Sequence, residues 1–320
     1  MINYEPHYTS MSYDANVAYE YIKKRKAGEI PSALTSFSKL NDAILEGIPW
    51  QNIFTLVGTS SSGKSTILEQ IKYDILMNDP SVKVLSFEFD MLVRSQIIRQ
   101  LAKKTGLSTR QIKYVKGYPM TLEEELILKE QLDNIAKLPI WNVDQSITVD
   151  SMRKDILYFI AEQQLIETKG KLLVTIDYVT LTKDVKGEDK KRVVDELYEM
   201  LVSLKKDFER IGLNVLFVCL SQTNRDIFSS ERVKNPSMHY PTEADIFQSS
   251  TIFNNSDIVM FSVNPSRIRG IEYYGSYKKP VRQNSTGYPY LYWHILKNRE
   301  DDCQLLEMVA DFKRYRIYDA

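Results

Sequence analysis

Short apolar runs alternate with amphipathic stretches over most of this chain. Apolar runs at residues 53–57, 82–89, 139–143, 171–177, 213–221 and 258–263 have strand length and are bounded by polar or Gly/Pro residues. Between them lie stretches of helical period at 66–77, 91–105, 108–115, 121–137, 148–167 and 189–210. The last of these places Val193, Leu197, Leu201, Leu204 and Phe208 on one face. Two more strands, 290–296 and 305–312, follow a Tyr-, Gly- and Pro-rich segment after Asn264 that reads as hairpins. Strands alternating with helices predict an α/β fold with a doubly wound, mostly parallel sheet and antiparallel strands at its C-terminal edge. Ahead of this body, residues 1–10 have no pattern. Residues 12–26 form an amphipathic helix bearing Val17, Ala18, Tyr21 and Ile22 and ending in KKRK, and 28–36 is a Gly/Pro linker.

The sharpest local signal is NIFTLVGTSSSGKST at 52–66. A short buried strand runs into Gly58, Thr59, Ser60, Ser61, Ser62, Gly63, Lys64 and Ser65, a full G-x-x-x-x-G-K-[ST] match, and a helix begins at Thr66. Glycines and small serines let backbone N–H groups close on phosphate oxygens, while the following helix directs its positive end at the same anion. Lys64 is placed to reach the β- and γ-phosphates of ATP, and the Ser65 hydroxyl to ligate Mg²⁺.

Composition narrows the partners. With 42 basic and 42 acidic residues the net charge is zero, so any nucleic-acid contact has to be a local patch. Two cysteines without a CxxC motif exclude a disulfide framework and point to a reducing, cytoplasmic compartment, with Cys219 an inert core residue of VLFVCL. The N-terminus lacks the basic and apolar regions of a signal peptide, and no apolar run reaches the roughly 18 residues of a membrane span.

In open parallel sheets, ligands bind beyond the carboxyl ends of the strands. Besides the phosphate loop, three strand ends carry candidate groups. Glu88 ends VKVLSFEF and is a general-base candidate for the water attacking the γ-phosphate. Asp177 ends KLLVTID, where an NTPase holds Mg²⁺ through a carboxylate. Gln222 follows a fourth apolar run and is a candidate γ-phosphate sensor.

From about residue 30 to 312 the sequence resembles the C-terminal, RecA-like P-loop ATPase domain of DnaB-type replicative helicases. KVLSFEFDM resembles the family's strand with the catalytic glutamate, which assigns that role to Glu88. LLVTIDYVTL resembles its Walker B strand, and LFVCLSQTNRD its Ser-Gln-x-Asn-Arg sensor. LKNRE resembles the Lys-x-Arg motif that reaches into a neighbouring subunit's nucleotide site, here Lys297 and Arg299. The resemblance implies a homo-oligomer, a hexameric ring, that moves 5′→3′ on single-stranded DNA.

The chain departs from the family at Asp245-Ile246-Phe247-Gln248-Ser249-Ser250, where Asp-Leu-Arg-Glu-Ser-Gly is usual and partly contacts DNA phosphates. Lys190, Arg225, Arg232 and Lys234, with Lys183, Lys186 and Lys191, are the candidate replacement cations, and Phe228 the candidate stacking residue. The family's N-terminal domain, which meets primase and loader proteins, has no counterpart here. The expected organisation is therefore a tail and linker helix at 1–29 that docks on a neighbouring subunit, then an ATPase domain at 30–320. Three functions fit: a ring helicase of minimal form, a RecA-like DNA-binding ATPase without unwinding activity, or a nucleotide-dependent scaffold.

Overall fold

The computed structural model describes residues 9–320 apart from 31, 45, 115, 118, 180–189, 225, 226, 228 and 248, and apart from the side chains of 190 and 249. The elements in chain order are α1 (Met11–Lys26), α2 (Ser38–Ala43), β1 (Asn52–Gly58), α3 (Lys64–Asn78), β2 (Val82–Glu88), α4 (Val93–Thr105), α5 (Thr109–Lys113), α6 (Leu122–Ala136), β3 (Ile140–Val143) and α7 (Val149–Glu162). Then come β4 (Lys171–Asp177), α8 (Lys190–Arg210), β5 (Asn214–Ser221), α9 (Ser230–Lys234), α10 (Ser249–Asn255) and β6 (Ile258–Val263). A hairpin of β7 (Tyr273–Tyr274) and β8 (Lys279–Pro280) precedes β9 (Tyr290–Asn298), β10 (Leu305–Asp311) and β11 (Arg316–Asp319).

Nine strands form one sheet in the order β11-β10-β9-β6-β1-β5-β4-β2-β3. The six from β6 to β3 are parallel; β9 is antiparallel to β6, β10 to β9, and β11 to β10. The central strands read as continuous apolar runs because helices cover both faces. Along β1, Ile53 and Val57 join one core cluster with Leu197, Leu201 and Leu204 of α8. Phe54 and Leu56 point the other way, toward Ile67 and Ile71 of α3. Thr55, on the α8 side, meets the Tyr198 hydroxyl at 2.9 Å and the Ser256 hydroxyl at 2.7 Å. On this side burial pushes the Cys219 thiol up to about 12.

Strand directions decide which segments share the ligand end of the sheet. β10 runs parallel to β1, so Phe312, just past its end, lies beside the phosphate loop. β9 runs the opposite way, and its last residues pair with the start of β6.

Several features depart from the pattern-based reading, the short helices α2 and α9 among them. α7 ends at Glu162, and residues 163–169 are turns with left-handed Gln164 and Lys169. α10 and β11 were not expected: α10 is a Ser/Thr/Asn-rich segment of weak helix propensity, and β11 buries only Ile317. α1 is a helix as expected, with Ser10 as its N-cap, and none of its residues is buried. Its one described tether to the body is Arg25, which donates to the Ile30 carbonyl at 2.7 Å and to the Ser32 hydroxyl.

Candidate nucleotide site

The phosphate loop leaves β1 at Gly58. A Cβ there would collide with the Ser62 hydroxyl and sit 2.6 Å from the Ser262 carbonyl, so only glycine fits. Ser61 (φ 67°) and Gly63 (φ 90°) are left-handed, which curls the loop before α3 begins at Lys64. The neighbouring strand pins it: the Ser262 hydroxyl donates to the Ser62 carbonyl at 2.8 Å, and Asn264 donates to the Ser61 carbonyl at 3.1 Å.

The loop opens on a cavity of about 640 Å³ at the carboxyl ends of the central strands. Thr59, Ser60, Lys64, Ser65, Thr66, Asp177 and Gln222 line it, as do Asp90, Arg99, Tyr178, Arg267, Phe312 and Tyr315. The Lys64 ammonium donates to the carbonyls of Gly58 and Thr59 at 2.6 and 3.0 Å. Burial lowers its pKa to about 8, against the opposing pull of Asp177 and Asp90. The Ser65 hydroxyl donates to Asp177 at 3.1 Å. Burial, then Glu88, pushes the Asp177 carboxyl up to about 7, and the Ser65 hydrogen bond acts the other way.

This arrangement fits a nucleoside triphosphate with Mg²⁺. Ser65 and Asp177 offer the hard oxygen ligands that Mg²⁺ prefers. Among the described residues there is no cluster of three or more His, Cys, Asp or Glu side chains that could hold a metal ion. Also among the described residues, the Ser62 hydroxyl is buried at the loop without a hydrogen-bond partner. Across the cavity the Arg99 guanidinium lies 5.0 Å from the centre of the Tyr315 ring, a flat surface suited to a base.

Several residues singled out in the sequence lie elsewhere. Glu88 does not line the cavity. It is 2% exposed and points into the layer between β2, α3 and α4, where it accepts from Lys72 at 3.3 Å, Ser86 at 2.5 Å and the Gln96 amide. Asp90, two residues on and clear of the sheet, faces the cavity instead. Arg232 is not an available cation: its guanidinium grips the Asp245 carboxylate and donates to the carbonyls of Met238 and Tyr240 at 3.0 Å each. Lys234 is exposed at the end of α9. The Lys190 side chain and Arg225, with Lys183, Lys186 and Phe228, lie outside the described residues.

Lys297 and Arg299 stand at the end of the sheet opposite the phosphate loop, not past a lateral edge, because β9 is an interior antiparallel strand. Lys297 donates to the Phe253 carbonyl at 2.6 Å, while Arg299 pairs with Asp257 at 3.4 Å and donates to the Asn254 carbonyl at 3.1 Å.

Of the cavity residues missed from sequence, Asp90 was visible as the second acid of the FEFD run. Arg99, Phe312 and Tyr315 come from α4 and from the turn after β10, and only the strand order brings them to the site.

Fold and site together define a P-loop NTPase of the RecA-like class. The sequence matches the DnaB-like helicase C terminal domain over residues 33–316, and the chain belongs to that family. Among solved structures, one of an ATPase domain is similar with a TM-score of 0.75 at 16% identity, covering 98% of this chain and 99% of that one. A DnaB-like replicative helicase, from a structure describing its interactions with primase, gives 0.74 at 15% identity over 98% of this chain and 67% of that one. No curated protein matches the sequence. No helix among the described residues is long and apolar enough to cross a membrane.

Proposed function

We propose that this chain is the motor of a ring-forming, ATP-driven replicative DNA helicase that moves on single-stranded DNA in the cytoplasm. The observation that carries the reading is the meeting of Lys64, Ser65, Asp90, Asp177 and Gln222 around one cavity at the ends of adjacent central strands. The loop amides and Lys64 hold the β- and γ-phosphates, and Ser65 with Asp177 orient the metal. Mg²⁺ held by Ser65 and Asp177 would supply positive charge against the phosphates. Glu88, the acid that ends β2, is the general base for the attacking water, as the resemblance implies, and Asp90, just past that strand, is the carboxylate that faces the cavity.

Gln222 reads the γ-phosphate, and its neighbours are stitched to the segment expected near DNA. Phe247 donates its N–H to the Gln222 carbonyl at 3.0 Å, Thr223 bridges Ile246, and the Asn224 amide donates to the Ala244 carbonyl at 2.7 Å. A shift of Gln222 therefore moves residues 244–247 with it. Residues 1–29 and 30–320 act as a docking arm and a motor domain: α1 buries nothing on its own subunit and packs on the next. Six copies, Lys297 and Arg299 acting in a neighbour's site, Lys234 as a DNA cation, and primase or a loader as a further partner complete the proposal.

A second reading, a DNA-binding ATPase without unwinding activity or a nucleotide-dependent scaffold, is favoured by one feature. Asp245 and Arg232 are consumed by each other in the segment that would meet DNA. Forked-duplex unwinding separates the readings. Strand separation that requires ATP and a single-stranded tail supports the helicase; DNA-stimulated ATP hydrolysis without separation supports the alternative.

A further inference from the structure

The turn that joins β10 to β11 carries two residues of the cavity wall, Phe312 and Tyr315. Phe312 packs against Gly63 of the phosphate loop, where an added Cβ would sit 3.3 Å from its ring. Tyr315 is left-handed, with φ 51°, which is strained for a bulky aromatic residue. Such strain persists only where the surroundings over-determine it, and it gathers at ligand clamps.

The two chain neighbours of Tyr315 supply the restraint. Arg314 donates to the Gly106 carbonyl at 3.0 Å. Arg316 donates to the Lys103 carbonyl through Nε at 3.0 Å and through Nη2 to the same oxygen. Both carbonyls lie at the C-terminal end of α4, where helix carbonyls lack partners within the helix and carry partial negative charge. Asp311, 3% exposed, holds the inner side of the turn. It accepts the Lys313 N–H at 3.1 Å, and the Arg314 guanidinium and Tyr288 hydroxyl at 3.0 Å each. Past the turn, Ile317 donates its N–H to the Gln70 side chain of α3 at 3.2 Å and accepts from it at 3.0 Å. The turn is thus fixed to both α3 and α4. α4 in turn carries Arg99, which lies over the Tyr315 ring.

The two halves of the cavity suit different chemistry. The loop amides and Lys64 suit phosphate. Arg99, Phe312 and Tyr315 offer flat stacking surfaces, which match the planar base of a nucleotide. If such a surface is loose before the ligand arrives, part of the binding energy is lost in ordering it. We infer that Arg314 and Arg316 are positioning residues: by clamping the end of α4 to the turn, they hold Tyr315, backed by Arg99, as a preformed platform for the base of the bound nucleotide. The inference deepens the reading of this cavity as a nucleotide site and rests on it. Neither arginine is among the residues that line the cavity, so both act through Tyr315.

The test separates base from phosphate. ATP hydrolysis in the presence of single-stranded DNA is measured for the wild-type chain, Arg314→Ala/Arg316→Ala, Tyr315→Ala, the triple variant and Lys64→Ala. ADP and inorganic tripolyphosphate, which has the phosphates without the base, serve as competing ligands, with direct binding measured for Lys64→Ala and thermal midpoints recorded alongside. In the arginine variant the KM for ATP and the inhibition constant of ADP are expected to rise about tenfold, while kcat at saturating ATP and the tripolyphosphate constant hold. Tyr315→Ala is expected to raise the same two constants by about 10–100-fold, and the arginine changes to add nothing in that background. Three results overturn the inference: an ADP constant that stays at the wild-type value in the arginine variant, a tripolyphosphate constant that rises as much as that of ADP, or an arginine effect that persists in full beside Tyr315→Ala. Lys64→Ala binding both ligands as tightly as wild type overturns instead the reading of the cavity as a nucleotide site. If the arginine variant does not fold, Arg316→Lys, which keeps the charge at the Lys103 carbonyl and loses the paired donors, takes its place with the same outcomes.

Discussion

Removing the Arg299 guanidinium tests whether a site is completed by its neighbour. Within one subunit Arg299 lies at the amino-terminal end of β1, beyond Asn298, which pairs with Ile258. The phosphate loop is at the other end of this seven-residue strand, roughly 20 Å away at about 3.3 Å per residue. An arginine side chain cannot span that length along the sheet, so any role in hydrolysis has to be exercised on another subunit. A finger supplied from outside contributes about 10³–10⁵ in rate, or about 4–7 kcal/mol of barrier. The change should leave the fold intact: Arg299 is half exposed, and Asp257 keeps Lys205 at 2.8 Å. Arg299→Ala is thus expected to bind ATP normally and hydrolyse it hardly at all, as Lys64→Ala also fails to do. Mixed in equal amounts with subunit exchange, the two variants form head-to-tail interfaces of which about a quarter join an intact Lys64 site to an intact Arg299. Phosphate release by the mixture should recover to at most that fraction of wild type. No recovery after exchange has been verified by labelled subunits, or normal turnover in Arg299→Ala alone, would refute the reasoning.

The remaining predictions use other parts of the molecule. Arg232→Ala leaves the buried Asp245 carboxylate unpaired and should cost about 3–5 kcal/mol in urea unfolding. Lys234→Ala should leave stability unchanged and lower the salt slope of single-strand binding by up to about one counterion; the opposite assignment of these effects would return Arg232 to the DNA surface. His294, 2.8 Å from the Tyr274 hydroxyl, is held neutral by burial and Lys279, with its pKa lowered to about 3. Its folded value is below its unfolded value of about 6.5, so its contribution is full above pH 6.5 and is lost as pH falls toward 3. Unfolding at pH 7 and pH 5 should show a stability loss on the order of 2 kcal/mol that His294→Gln lacks; equal losses in both proteins would show that His294 is already solvated. Deleting residues 1–29 should preserve the thermal transition and abolish rings in mass photometry, whereas persistent rings would show that α1 does not hold neighbours together.

How much of this was legible in the sequence depends on how far apart the interacting residues lie. The phosphate loop is contiguous, and its strand–loop–helix context is written in one stretch, so its placement follows from local pattern alone. The central strands stood out because burial on both faces demands unbroken apolar runs, and Asp177 followed as the polar end of one. Glu88 and Asp90 were harder to separate. Both lie at one strand end, and only the pairing of Glu88 with Asp177 shows that the sheet ends between them. Arg232 looked like a free cation because its partner Asp245 lies 13 residues away at the end of a short 3₁₀ turn. Lys297 and Arg299 looked like cations beyond a sheet edge because strand direction and interior position cannot be read from the strand itself. The stacked pair Arg99 and Tyr315 joins segments more than two hundred residues apart, and no periodicity records such a meeting.

The central claim, that the cavity at Lys64 is an ATPase site coupled to DNA, is tested most directly by the steady-state rate of ATP hydrolysis with and without single-stranded DNA, for the wild-type chain and Lys64→Ala. Hydrolysis raised severalfold by single-stranded DNA and absent in Lys64→Ala is the predicted result. Hydrolysis that ignores DNA, or that survives the loss of Lys64, would contradict it.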